Sequence, residues 1–391
     1  MLVGIGTDII ETDRVFSALS KKGFIKKCFT DNEDISTPQS AAGLFAAKEA
    51  VAKALGTGFS GFFPREIEIL HNELGMPVVR LTGKAAKLAE SLVINISISH
   101  CRSYAVAFAT LETNHKIEHE NILPKRQKRC NKGDFGTVSV FGGSKSMTGA
   151  ALLCAKAAYR IGAGIVRVFT VEKAADVIRF CLPEALTHEL PEKNGFISGI
   201  DELPEIKVAA IGCGIGNNKI TEFFIEQLFE KLNSNKCKII VDADALNIIS
   251  CNKDILKNYK GEKIITPHPG EASRLLDIPI KEILDNTVYY AKVLSEKFDS
   301  VVCLKDSNTV VYCPDGNFTI NESGSPALAK AGTGDVLAGT ISGLVAQGLP
   351  CYDAAKTGVF LHGKAGEKAA ELFGERAVLA TDVVDLLGSC Y

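Results

Sequence analysis

Ala331-Gly332-Thr333-Gly334-Asp335, running at once into the small apolar Val336-Leu337-Ala338-Gly339, is the stretch whose reading decides the fold of most of this chain. Two glycines around a threonine open a helix here, so several unpaired backbone N–H groups converge on one spot. That spot carries the positive end of the helix dipole, which suits a phosphate or a developing oxyanion. Asp335 sits inside the first turn, close enough to take a proton from a hydroxyl held there. An anion cradle beside a base is the machinery of phosphoryl transfer to an alcohol. Taken alone, the five residues equally fit a plain glycine-rich loop whose acid compensates a helix dipole. The residues upstream decide between the two readings.

Working outward, the spacing predicts strand, loop and helix in repetition from Gly136 onward. Thr137–Phe141 reads as a strand, Gly142-Gly143-Ser144 through Gly149-Ala150 as a loop, and a helix runs to about Ile161 before a strand at 165–171. That order implies a parallel sheet with right-handed crossovers. The glycine loop lacks the G-K-[ST] ending of a Walker A motif. Strands follow at 208–212, ahead of Gly212-Cys213-Gly214-Ile215-Gly216; at 238–241, ahead of Asp242-Ala243-Asp244-Ala245-Leu246; and at 263–266, ahead of Pro267-His268-Pro269-Gly270-Glu271. Val301–Leu304 ends in Lys305, and 309–313 is expected to pair beside it. Each glycine or charged cluster falls just after a strand, at the edge where open α/β sheets bind ligands.

A length of 391 residues is comfortable for two domains, and 46% hydrophobic with 23% charged residues describes a globular protein. A formal charge of -2 gives no pull toward nucleic acid or an anionic membrane. The start, Met1 to Asp8, has no basic region of the kind a secretory signal needs, and no run approaches the ~20 apolar residues of a membrane span. The twelve cysteines are scattered without a C-x-x-C pair; Cys154, Cys213 and Cys303 read as small buried hydrophobes in a reducing cytoplasm. Glu112–Glu120 is polar and aperiodic, a linker in which His115 and His119 read as solvated chain. Lys125, Arg126, Lys128 and Arg129 form a basic cluster without the aromatic interleaving of a nucleic-acid surface.

The first hundred residues have a different pattern. A strand over 2–10 ends at Gly6-Thr7-Asp8-Ile9-Ile10, a helix is expected around Asp13–Leu19, and a punctuated helix follows with Ser36 and Thr37 as caps, Pro38 in its first turn and Gly56 past its end. Glu49 and Lys53, four apart, share a face of that helix, which by itself fits a solvated ion pair. Gly6-x-Asp8, Phe45-x-x-Lys48-Glu49-Ala50-x-x-Lys53-Ala54-Leu55-Gly56 and Ile96-Ser97-Ile98-Ser99-His100 together resemble the holo-acyl-carrier-protein synthases, the 4'-phosphopantetheinyl transferases of fatty-acid synthesis. The resemblance covers roughly residues 1–112, including Phe29-Thr30 and the strand-like 104–108. It implies Mg²⁺ on Asp8 and Glu49, in keeping with that ion's taste for one or two carboxylates. It also implies Lys53 and His100 near the coenzyme A phosphates (a buried structural role remains open for His100), Arg14 docking acyl carrier protein, and active sites formed between the subunits of a trimer.

From about Leu123 to the end, Asn131-Lys132-Gly133-Asp134-Phe135-Gly136, Gly142-Gly143-Ser144, the DADAL and TPHPGE elements and Gly332–Asp335 resemble the ribokinase-like superfamily, and within it the ADP-dependent NAD(P)H-hydrate dehydratases. The chain departs from that pattern at Cys213, where Pro is usual, and at Asp306, where Gly is usual. The resemblance implies Asp335 as base, contacts to hydrated NADH or NADPH from Ala150, Gly216, His268 and Asp335, and ADP or ATP as phosphoryl donor held by Lys305, Asp306, Ser307, Asn308, Thr309 and Gly334. The expectation is a bifunctional cytoplasmic enzyme: an α+β 4'-phosphopantetheinyl transferase fold over 1–112, a linker over 113–122, and an α/β ribokinase-like fold with a mostly parallel sheet flanked by helices over 123–391. The competing expectation is a small-alcohol kinase carrying an inactive oligomerisation or carrier-binding module.

Overall fold

The computed structural model describes residues 2–72, 75–89, 92–113, 123, 126 and 128–391. Most of the expected linker, with His115 and His119, and Lys125 of the basic cluster lie outside the described residues. The chain divides into two compact units, Met1–Ile117 and Glu118–Tyr391.

In the first unit, strands Leu2–Glu11, Tyr104–Thr113 and Leu92–His100 form an antiparallel sheet in that order. Helix Pro38–Ala54 lies across one face; Thr37 caps it, its hydroxyl accepting the Ser40 N–H at 3.1 Å. The face is made for close approach. Ala107 and Ala109 are buried with the helix residues Ala46, Ala47 and Ala50, Ala105 with Ala41 and Ala42, and a Cβ on Gly6 would overlap the Ala50 carbonyl oxygen. Gly6 therefore lets the helix backbone rest on the strand, two residues from Asp8. The opposite face alternates apolar residues outward: Val3, Ile5, Ile9, Tyr104, Val106 and Phe108 are between 39% and 67% exposed. Strands Ile67–His71 and Pro77–Leu81 pair in a separate ribbon.

In the second unit, nine strands form one sheet in the order 318–320, 310–312, 301–304, 263–265, 238–241, 208–211, 137–141, 165–170, 186–189. Strand pairing is parallel from 186–189 through to 301–304, and the two strands beyond add antiparallel. Four-residue runs such as Val208–Ile211 are buried throughout, as strands covered on both faces must be. The chain runs outward from 137–141 and returns to start again at 208–211, so the topological switch point lies between these neighbours. Helix Thr333–Ala346 is buried from Val336 to Val345. Its Gly339 and Gly343 would, with side chains, strike Cys154 and Ile161 of the segment next to it, so its small residues are packing surface. No helix among the described residues is long and apolar enough to cross a membrane.

Candidate active sites

In the first unit the Asp8 carboxylate, inside strand Leu2–Glu11 rather than at the end expected of it, meets the helix face. Lys53 Nζ lies 2.9 Å from Asp8 Oδ1 and 3.0 Å from the Thr7 carbonyl oxygen. Burial, then the neighbouring Asp8 carboxylate, pushes the Glu49 carboxyl above its usual range despite Lys53. Two partly exposed carboxylates and an ammonium thus share one shallow site. His100 falls on the same face of the sheet, on the far strand, in the row of Ala105 and Ile10. It is exposed and makes no hydrogen bond or ion pair with Asp8, Glu49 or Lys53. Arg14 stands exposed on helix Thr12–Leu19.

Lys48, adjacent in sequence to Glu49, points the other way. It is fully buried in an ion pair with Glu33 at 2.8 Å and donates to the Pro64 and Ile67 carbonyls. Glu33 in turn accepts the N–H groups of Thr30 and Ile69. Burial draws the Lys48 ammonium below its usual range, with Glu33 opposing. This pair ties the long helix to the Phe29–Glu33 turn and the neighbouring ribbon, a role that no local spacing reveals.

The second site gathers at the carboxyl ends of the neighbouring strands 238–241, 263–265 and 301–304. Asp242 is 1% exposed and its Oδ1 lies 2.7 Å from Lys305 Nζ. Ala243 follows with φ 51° and ψ −122°, and the Ala245 N–H closes on the Asp242 carbonyl at 3.2 Å. That is a type II′ turn with alanine where glycine is preferred, strain that turns both flanking aspartates into the site. Asp244 Oδ2 accepts the Gly216 N–H at 2.8 Å. Gly214 of the same loop packs against Ala150, where a Cβ on the glycine would stand 2.7 Å from the alanine's. A Cβ built on Gly334 would stand 3.6 Å from both Asp242 Oδ2 and Lys305 Nζ. The helix N-terminus therefore sits directly over that ion pair.

Asp335, next along, has its carboxyl raised to about 6 by burial and then by Asp242, against the opposing Cys213 thiol and Lys305. Glu271 is likewise raised, to about 7, chiefly by burial. Lys305 stays well protonated because Asp242 and Glu271 outweigh its burial. His268 caps the helix that starts at Pro269. Its Nδ1 accepts the Gly270 N–H at 2.9 Å, leaving Nε2, 3.4 Å from Glu271, to carry the proton. Around this cluster opens a cavity of about 640 Å³ lined by His268, Lys305, Asp306, Ser307, Thr309 and Gly334, among others. Asn308 is exposed and does not line it. Arg126 of the basic cluster lies over the Phe135 ring at 4.0 Å and donates to the Gly162 carbonyl, a packing contact.

These two sites define the class. The chain belongs to the NAD(P)H-hydrate dehydratase family, whose model matches residues 138–388, and residues 4–109 match the 4'-phosphopantetheinyl transferase superfamily. Its fold is two-domain: synthase-like, then ribokinase-like with the mostly parallel sheet described above. Among its relatives is the bifunctional NAD(P)H-hydrate repair enzyme Nnr of Moorella thermoacetica, 36% identical over 272 residues, 68% of this chain and 51% of that one. The chain spans about half the length of the first curated relatives it matches. The ADP-dependent (S)-NAD(P)H-hydrate dehydratase of Neisseria meningitidis is 34% identical over 69% of this chain and 88% of its own. The crystal structure of the ADP/ATP-dependent NAD(P)H-hydrate dehydratase from Bacillus subtilis, co-crystallized with ATP/Mg²⁺, superposes with a TM-score of 0.61 at 31% identity, over 70% of this chain and 95% of that one.

Proposed function

We propose that the chain is bifunctional, with residues 123–391 dehydrating (S)-hydrates of NADH and NADPH at the expense of ADP or ATP. The observation that carries this reading is Asp335: a buried carboxyl of raised proton affinity, in the first turn of a helix whose N-terminus stands over Lys305. Asp335 takes the proton of the hydrate's hydroxyl, and that oxygen attacks the terminal phosphorus of ADP. AMP leaves, with Lys305 and the Gly334 N–H holding the transferred group. Phosphate is then lost with a ring proton, restoring the reduced nicotinamide. Ala150, Gly216 and His268 hold the hydrate, while Asp306 to Thr309 hold the nucleotide.

Residues 1–112 transfer 4'-phosphopantetheine from coenzyme A to a serine of acyl carrier protein. Asp8 and Glu49 fit Mg²⁺: both are oxygen donors, and their mutual repulsion, felt in the raised Glu49, is what a cation relieves. An ion held there would supply the positive charge that offsets the pyrophosphate of coenzyme A. Lys53 and His100 meet the phosphates, and Arg14 meets the acidic carrier. The outward apolar row from Val3 to Phe108 supports self-association into the expected trimer, since a patch of that kind on a sheet face is normally covered. All twelve cysteines are free thiols, which suits a reducing cytoplasm. The test is to give the purified chain hydrated NADH with ADP, and separately coenzyme A with apo-carrier protein. Stable phosphorylated hydrate without released phosphate would make the second domain a simple kinase.

A further inference from the structure

Cys213 stands in the loop after strand 208–211 and is 1% exposed; Cys154, on helix Thr148–Arg160, is sealed entirely. Two buried thiols thus lie in the second unit, and the dehydration chemistry gives them no part. Cysteine at 213 departs from the family pattern, in which proline is usual. The Cys213 carbonyl accepts the Gly143 N–H at 2.8 Å, a bond that proline would make equally well. What cysteine adds at this place is its thiol.

The packing brings the two thiols and the Asp335 carboxyl together. A Cβ built on Gly142 would stand 3.5 Å from that of Cys213 and 3.3 Å from that of Ala151, so the loop lies against one face of helix Thr148–Arg160. Cys154 is three residues on from Ala151 and shares that face. Helix Thr333–Ala346 closes the arrangement. A Cβ on its Gly339 would strike the Cys154 carbonyl oxygen, and Asp335 is four residues back on the same helix face. The Cys213 thiol ends within hydrogen-bonding reach of the Asp335 carboxyl and of the Cys154 thiol.

The direction of these bonds follows from what each group can give. An ionised carboxylate only accepts, so Cys213 donates to it, and the Cys213 sulfur is left to accept from Cys154. The Cys154 thiol and burial hold Cys213 well above its usual range, so it keeps its proton. The remaining groups facing Asp335 are Asp242 and Asp244, which raise its proton affinity, and Lys305, which lowers it, with Glu271 beyond Lys305. Helix Cys351–Phe373 brings His362, which burial keeps neutral. On helix Ala380–Leu386, Asp385 is paired with Lys156 and Arg160, and Asp382 accepts the Leu379 N–H.

We propose that Cys213 is a positioning residue for dehydration: its thiol, backed by Cys154, donates to one oxygen of Asp335 and fixes the carboxylate with the other oxygen free for the hydrate's hydroxyl. The inference rests on the reading of Asp335 as the base. A donor to the ionised form favours that form, so the bond keeps the base available at lower pH than burial alone would allow. Removing the donor raises the proton affinity of Asp335 and moves the acid limb of the rate profile to higher pH.

The test follows turnover of hydrated NADH by the full chain at saturating ADP, from the alkaline plateau down the acid limb. Cys213→Ala should move the midpoint of that limb up by about half a unit to one unit, so that the variant loses about three- to tenfold more rate below the midpoint than on the plateau. Cys213→Ser, which keeps a donor, should leave the midpoint at or below the wild-type value. An unmoved midpoint in Cys213→Ala, even with turnover lowered at every pH, would overturn the assignment and leave Cys213 a packing residue. Serine shifting the midpoint as far as alanine does would overturn it too. Should the alanine variant fail to fold, Cys213→Pro, the residue usual there in the family, is read by the same criterion. A wild type that turns over no hydrated NADH, or that shows no acid limb, defeats the reading of Asp335 itself and this inference with it.

Discussion

The two sites of this chain hold their carboxylates in opposite ways. Asp8, Glu49 and Lys53 sit at the surface of a sheet, where one helix face meets one strand, and Lys53 is 47% exposed. Asp242, Glu271 and Lys305 are nearly buried, framed by a strained turn and a helix N-terminus. The difference follows from the chemistry proposed for each. A site that leaves its carboxylates to a metal and a large coenzyme needs them open, since ligand oxygens and water complete the coordination. A site whose carboxylate is itself the base gains from burial, which lifts its proton affinity toward neutral pH. Burial here demands rigid support, and the support is visible in loops whose glycines admit no side chain.

The contrast can be broken at its foundations. The helix that carries Glu49 and Lys53 is anchored from behind by Lys48 and Glu33. Lys48→Ala leaves Glu33 buried and unpaired, at a cost of about 3–5 kcal/mol. Denaturant unfolding should show that loss in a transition assigned to the first unit, with dehydration retained; a loss under about 1 kcal/mol would contradict the anchoring role. The second site should betray its burial by pH. Asp335 acts unprotonated and its carboxyl is raised to about 6, so the base form is lost as pH falls through that value. Turnover of hydrated NADH at saturating ADP should drop about tenfold per unit below it. A profile flat down to pH 4.5 would mean an ordinary exposed carboxylate.

Smaller effects sharpen the comparison. Arg14→Glu at the open site should raise KM for the carrier protein several-fold and leave KM for coenzyme A unchanged, as loss of a rim charge does; equal effects on both would remove the docking role. Ala243→Gly at the buried site should relieve the positive φ and stabilise the second unit by about 1 kcal/mol. A fall in its melting temperature would show that the turn is not strained.

Much of the second unit was legible because each of its loops announces itself, with a glycine pair or charged cluster directly after a buried apolar run. The strands 186–189 and 318–320 were missed because each is short. Within the sites, Asp8, Glu49 and Asp335 could be named from motif and spacing. Their environments could not. Glu33 meets Lys48 from a separate turn, Gly6 matters because of Ala50, and Ala243 hides a turn that glycine would have flagged. Cys213 reads as a small packing residue, and only the burial of its thiol between Cys154 and Asp335 shows that it has a partner.

The central claim is that two independent chemistries reside in one chain, one on Asp8 and Glu49, the other on Asp335. Asp8→Ala and Asp335→Asn, each assayed for both activities with ADP binding measured alongside, test it most directly. Asp8→Ala should abolish Mg²⁺-dependent pantetheinyl transfer and leave dehydration at the wild-type rate. Asp335→Asn should lower dehydration on the order of 10²–10⁴-fold, keep ADP affinity within a few-fold, and leave transfer intact. Transfer surviving in Asp8→Ala, or more than about a tenth of dehydration surviving in Asp335→Asn, would contradict it.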